Sequence, residues 1–200
     1  MKDLIKMIVV LFTICFISAV ILSQVNSMTE KPIAEALRAE KLDAIKRVLP
    51  EFDNQPDKDV VNAGGKTWYV AKKDGKVVGV AVEASSNSGY SGEIRTMLGI
   101  KANGDVSGLE ILAHKETPGL GQKIETPAFR NGVIKTADGS PRNLTNTVWK
   151  VKKDGGDIDQ IAGATISPRA VVAAVAEALN QYQALKDQIL SAPAGQEVTQ

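Results

Sequence analysis

Cysteine and histidine each occur once in this 200-residue chain, as Cys15 and His114. A single cysteine excludes an internal disulfide framework and any cysteine-rich zinc or iron–sulfur centre within the chain. A single histidine with no cysteine nearby offers neither a metal cluster nor a catalytic triad, so a structurally satisfied imidazole is expected at His114. Aromatic residues are sparse, at 4%. There is no excess of one charge either: with Lys2, Asp3 and Lys6 set aside, 22 basic residues face 22 acidic ones. A nucleic-acid binder shows a basic excess, so that class is excluded. No glycine-rich dinucleotide fingerprint is present. The hydrophobic fraction, 44%, suits a folded domain plus an appendage.

What is present begins with one long apolar run. Met7 to Val25 carries no charge and only mild polar breaks at Thr13, Ser18, Ser23 and Gln24. About 20 apolar residues span a bilayer core as a helix. Lys2 and Lys6 precede the run, which by the positive-inside rule keeps the N-terminus cytoplasmic and sends the remainder across. A cleaved signal peptide has a shorter apolar core and a small-residue cleavage site, and Val25-Asn26-Ser27 is a poor one. Ile14 before Cys15 does not fit a lipoprotein anchor, and membrane packing is the expected role of Cys15. The expected organisation is an anchor over 1–27, a domain over 28–190 and a flexible tail over 191–200.

Helical spacing of Ile33, Leu37, Leu42, Ile45, Val48 and Leu49 predicts a packing helix from about Glu30 to Leu49, stopped by Pro50. Glu51 to Gly65 reads as a loop. Two hairpins follow. Thr67–Ala71 and Lys76–Ala84 flank Asp74-Gly75, and Arg95–Ile100 and Val106–Ala113 flank Asn103-Gly104; both dipeptides suit type I′ turns. Four such strands imply an antiparallel sheet with one packed and one wetter face. Ser85 to Gly92 reads as a small polar loop near a site. A short helix over Gln122–Phe129, loop over Asn131–Asn146 and a last strand over Thr147–Val151 complete the middle. The closing helix runs from Pro168 to about Leu190, with Val171, Val172, Val175, Leu179, Tyr182 and Leu185 on its apolar face. The fold class is α+β: an antiparallel sheet built from hairpins with flanking helices, preceded by one N-terminal transmembrane helix.

Two loops stand out. In Asp159-Gln-Ile-Ala162-Gly163-Ala164-Thr165-Ile166-Ser167-Pro168, the small residues let a ligand approach the backbone closely. Ser167 and Pro168 suit a helix cap and first turn, and Thr165 places a hydroxyl near the positive end of a helix dipole, where phosphate is favoured. An ordinary capped loop satisfies the same local pattern. In His114-Lys-Glu-Thr117-Pro118-Gly119-Leu120-Gly121, Pro118-Gly119 signals a turn and Gly121 adds backbone freedom.

Together the two loops resemble a family. Asp159-x-x-Ala162-Gly163-Ala164-Thr165 is similar to the flavinylation motif of proteins that carry FMN through a phosphoester to threonine. His114 to Gly121 resembles the loop accompanying it in the G subunits of Rnf electron-transport complexes. The C subunits of sodium-pumping NADH:quinone oxidoreductases share both features. The resemblance covers nearly the whole chain, and the Ala-Thr-Ile-Ser run favours the Rnf family.

By that resemblance Thr165 is the FMN acceptor, and Gly163 and Ala164 leave room for the flavin. Asp159 helps a separate flavin transferase recognise or activate the site, and Thr117, Pro118, Gly119, Leu120 and Gly121 lie near the isoalloxazine ring. Ile166 and Ser167 complete the cofactor-binding set. Ala162 departs from the family's pattern, which has serine or threonine there. The resemblance implies an electron-transfer subunit with covalent FMN. It would sit in a ferredoxin:NAD oxidoreductase coupled to ion translocation, without binding NAD or ferredoxin itself. Expected partners are the other membrane subunits, the flavin transferase and lipid along residues 7–25, with no nucleic acid. The expected location is the cytoplasmic (inner) membrane, single-pass, with the bulk of the chain on the periplasmic side. Two other readings stay open: the FMN subunit of a sodium-pumping NADH:quinone oxidoreductase, and a cofactor-free extracytoplasmic scaffold.

Overall fold

A computed structural model describes residues 2–191 and 197–198. The chain divides into two compact units after Lys41. The described residues of the first unit are all helical. The helix α1, Lys2–Val48, is long and apolar enough to cross a membrane, with a mean hydropathy of 2.7 over its apolar window and none of that window buried. The anchor and the packing helix expected as separate pieces are therefore one uninterrupted element, with Pro32 inside it. Ile33 and Leu37 remain exposed; burial starts only at Ala44, Ile45 and Val48, in the second unit.

The second unit is built on a sheet. Strands β1 (Val60–Ala63), β2 (Lys66–Lys73), β3 (Lys76–Gly89), β4 (Gly92–Lys101) and β5 (Val106–Ala113) pair antiparallel in sequence order. Glu197–Val198, here β6, pairs in parallel with β1. Most of the expected tail lies outside the described residues. The predicted α+β class, a hairpin-built antiparallel sheet with flanking helices after one long N-terminal apolar helix, is what the structure has.

The first hairpin turns at Asp74-Gly75, both at positive φ (52° and 74°), as a type I′ turn requires. The second does not. Gly104 alone has positive φ, and the Lys101 N–H reaches the Asp105 carbonyl at 2.8 Å, so residues 102–105 form a longer connection. Within it, the Asn103 side chain accepts from the Asp105 N–H and donates to the Asp105 carboxylate, a local competition typical of asparagine.

Both faces of the sheet are covered, not one. Val80 and Val82 alternate with Ala81 along β3. The valines join the larger core with Trp68, Leu98, Ile100 and the closing helix α3 (Ile166–Ser191), while Ala81 joins Ala71, Met97 and the end of α1. Glycine explains the second contact. Gly99 and Gly108 are cross-strand partners, and a Cβ on either would collide with the Val48 backbone. Without side chains there, the last turn of α1 lies directly on the sheet. The Ser107 hydroxyl then donates to the Val48 carbonyl at 2.6 Å, satisfying one of the acceptors a helix end leaves open.

Helix α3 buries Val171, Val175, Ala178, Leu179, Tyr182, Leu185 and Ile189, a stripe at three- and four-residue spacing. Each valine or leucine so removed from water contributes roughly 1.5–3 kcal/mol. Trp68, fully buried, sits with its ring 6.0 Å from that of Tyr182 and donates its indole N–H to the Ala63 carbonyl.

Other expectations are corrected. Val60–Ala63 is a strand inside the stretch read as loop, and the serine-rich segment from Ser85 to Gly89 continues β3, pairing Ser85 with Arg95 and Ser86 with Ile94. Gly121–Glu125 is a 3-10 turn, and helix α2 runs from Pro127 to Ile134, past the predicted end at Phe129. Thr126 caps it by accepting from the Phe129 N–H. Thr147–Val151 is not a strand; Val151 makes one isolated bridge with Ile158, and the run is too short in pairing partners to continue.

Candidate functional site

The two singled-out loops meet. Pro118-Gly119 forms the expected turn: the Leu120 N–H reaches the Thr117 carbonyl at 3.2 Å, and Gly119 has a φ of 74°. Proline second and a positive-φ glycine third is the type II pattern. Ile161 to Ala164 turns in the same way, with the Ala164 N–H on the Ile161 carbonyl at 3.0 Å and Gly163 at φ 77°. A Cβ on Gly163 would lie 3.5 Å from Leu120 Cδ2, so the second turn rests against the first.

The helix start differs from the reading in the sequence. The Thr165 carbonyl accepts from the Arg169 N–H at 3.2 Å, and α3 begins at Ile166. Thr165 thus holds the cap position, while Ser167 and Pro168 fall inside the first turn. Ser167 does not cap. Its hydroxyl, buried, donates to Glu116 Oε2 at 2.5 Å.

Between the loops lies a cleft of about 630 Å³ lined by Tyr90, Glu116, Lys153 and residues of both motifs. Thr117, Leu120, Gly121, Gly163, Ala164, Thr165, Ile166 and Ser167 all face it. Pro118, Gly119 and Asp159 do not line it. Asp159 is largely exposed and pairs with Lys152 at 2.6 Å. The volume is in the range of small-molecule and cofactor sites.

Three lining residues were not singled out from the sequence. Tyr90 stands at the tip of the β3–β4 hairpin, 70% exposed. Lys153 belongs to a 3-10 turn, Lys152–Asp154, docked on α3 by Arg169, whose guanidinium grips the Asp154 carboxylate through two bonds of 2.6 and 2.7 Å. That fork holds the Asp154 carboxyl below its usual range. Glu116 is 5% exposed and joins three segments: it accepts from the Ser91 N–H at 3.0 Å and from Ser167, while its own N–H donates to His114 Nδ1 at 3.0 Å. Because His114 Nδ1 accepts, Nε2 carries the ring proton and donates to Glu125 at 2.8 Å. The sequence offered a signal for Glu116, a carboxylate two residues after the lone histidine and inside the motif, but not for its burial. His114 is the satisfied imidazole expected. No cluster able to hold a metal ion occurs among the described residues.

Residues 89–180 match the FMN-binding domain family. The chain is 39% identical over 180 residues to the G subunit of the ion-translocating oxidoreductase complex of Pseudomonas aeruginosa, covering 84% of this chain and 83% of that protein. It is 37% identical over 175 residues to the protein of the same name from Vibrio cholerae, covering 78% and 81%. The chain belongs to the family of G subunits of ion-translocating oxidoreductase (Rnf) complexes. With its exposed apolar span it is a membrane-anchored member of that family. Among solved structures, NqrC of Shewanella oneidensis aligns with a TM-score of 0.49 at 16% identity, over 72% of this chain and 70% of that one.

The residues present fit a flavin mononucleotide. The cleft has Thr165 at a helix N-terminus, with small residues ahead of it, an apolar Leu120 and Ile166, and a lysine in its lining.

Proposed function

We propose that this protein is the covalent flavin carrier of its complex, with FMN held through a phosphoester on Thr165. The observation that carries this reading is the position of Thr165. Thr165, a hydroxyl-bearing residue, is the cap residue of α3 and lines the cleft where the two motif loops meet.

FMN supplies reversible electron uptake; the chain's own residues bind and orient it. The first N–H groups of α3 have no helical partners and favour phosphate oxygens beside Thr165. Lys153 adds positive charge in the same lining. Gly163 and Ala164 keep the approach to the hydroxyl free of bulk, and Leu120 and Ile166 give apolar contact for a ring. Thr117, Pro118, Gly119 and Gly121 shape the loop that carries Leu120. Asp159 lies outside the cleft wall, exposed and paired with Lys152, a position suited to recognition by a transferase.

Attachment forms a bond between Thr165 Oγ and phosphorus and loses the hydroxyl proton. A nucleotide-activated flavin supplies the leaving group, and a separate transferase catalyses the exchange. The anchor spans the cytoplasmic membrane once, and by its flanking lysines leaves the flavin domain on the periplasmic side. There a covalent tether keeps a cofactor that no cytosolic pool can replace. The carrier relays electrons to other membrane subunits while the complex moves ions.

Co-production of the full-length chain with a flavin transferase tests the reading. A fluorescent flavin band that survives denaturing electrophoresis is expected, and it disappears in Thr165→Val. A colourless wild-type chain, with the transferase active on a control substrate, supports a cofactor-free scaffold instead.

A further inference from the structure

Glu116 is buried and lines the cleft. Its Oε1 accepts from the Ser91 N–H and its Oε2 from the Ser167 hydroxyl. The Ser91 N–H can only donate and the Ser167 hydroxyl is free to donate, so each oxygen has the donor a carboxylate needs. No lysine, arginine or histidine side chain forms an ion pair with it among the described residues. Each oxygen is walled by glycine: a Cβ on Gly89 would lie 2.8 Å from Oε1, and one on Gly121 would lie 2.5 Å from Oε2. The backbone is thus shaped around this group on both sides.

A carboxylate withdrawn from water without a cation is costly, and two hydrogen bonds offset only part of that cost. A glutamine of the same shape would join the same three segments without the charge. Packing therefore does not account for the acid. The other charged residue of the cleft, Lys153, is exposed, and water and salt screen it. Glu116 is the one acidic residue lining the cleft among the described residues, and burial lets its charge act at a lower effective dielectric than an exposed group's.

We propose that Glu116 sets the reduction potential of the bound flavin, its fixed negative charge making the flavin a stronger reductant. This rests on the FMN reading above. Two electrons and one proton give the oxidised ring a net single negative charge. A carboxylate fixed nearby raises the energy of that reduced form and leaves the neutral oxidised form nearly untouched. The residue acts through its field and exchanges no proton with the ring.

The test uses the full-length chain in detergent, produced with a flavin transferase, with flavin loading read by intact mass before any titration. Dithionite supplies the electrons in a mediated spectroscopic titration. Glu116→Gln is expected to show a more positive midpoint potential than the unaltered protein. Glu116→Asp, which keeps the charge, stays closer to the unaltered value. An unchanged midpoint in Glu116→Gln overturns the proposal. Equal shifts in both variants also overturn it, because geometry rather than charge is then responsible. Should Glu116→Gln not fold or load, infrared difference spectra of unaltered protein labelled with 13C-carboxyl glutamate decide the matter. A labelled carboxylate band that moves on flavin reduction is expected, and its absence contradicts the proposal. An unaltered protein without flavin mass refutes the FMN reading itself, and this proposal with it.

Discussion

The Ser167 hydroxyl donates to the Glu116 carboxylate across 51 positions of sequence. That bond fastens the start of α3 to the loop between β5 and the 3-10 turn, and the Ser91 N–H adds the β3–β4 hairpin to the same carboxylate. The cleft owes its shape to this junction.

Gly121 sits against the junction, and a methyl group there would press on both Glu116 and Ser167. Gly121→Ala is expected to lower stability by about 1–3 kcal/mol, the usual range for overpacking a filled site. Gly132 offers the contrast. It lies within α2 with nothing near its missing Cβ. Gly132→Ala should be neutral or stabilising by up to about 1 kcal/mol, since alanine is the better helix former. Denaturant unfolding of the two variants side by side checks the pair.

Burial pushes the Tyr182 phenol up to about 12, from an ordinary value of 10.0. Below pH 10 neither folded nor unfolded chain ionises at this residue, and its contribution is complete. Between pH 10 and about 12 only the unfolded chain loses the proton, so stability falls by about 1.4 kcal/mol per pH unit and by roughly 3 kcal/mol in all. Tyr182→Phe keeps the ring against Trp68 and gives up weak bonds to the Lys101 and Ala102 carbonyls. It should cost about 1 kcal/mol or less at neutral pH and remove this part of the alkaline loss. Stability measured against pH for both chains gives the comparison.

Orientation has its own test. Cys15 is the only thiol, so Cys15→Ala leaves a chain in which a single new cysteine reports its side of the membrane. Lys76, exposed at the start of β3, is a suitable place. Lys76→Cys in that background should react with a membrane-impermeant maleimide in cells whose outer membrane alone is permeable. Labelling only after the inner membrane is broken would reverse the orientation.

Local chemistry made much of this legible. Asp74-Gly75 names its own turn because both positions need positive φ, and Pro118-Gly119 does so by the same logic. The stripe from Val171 to Leu185 shows α3 because its period survives any surroundings. What the sequence hid depends on distant partners. Ser85 to Gly89 is polar enough for a loop, yet β4 offers it paired backbone groups. Asn103-Gly104 looks like a two-residue turn until the asparagine side chain takes over the bonding. Ser167 looks like a cap until Glu116, far away in the chain, claims its hydroxyl. Gly99 and Gly108 lie in strands the sequence showed, but their role as the seat for Val48 depends on a helix end far away in the chain. Both motif loops were visible as candidates, and Thr165 with Gly163 and Ala164 does line the cleft. Burial of Glu116 and arrival of Lys153 follow from the fold alone.

The most direct measurement is the intact mass of the full-length chain produced with a flavin transferase, beside Thr165→Val. The account predicts a gain equal to FMN less one water in the unaltered chain, mapped to the peptide containing Thr165 and absent from the variant. An unmodified wild-type mass, with the transferase shown to be active on another substrate, would contradict it.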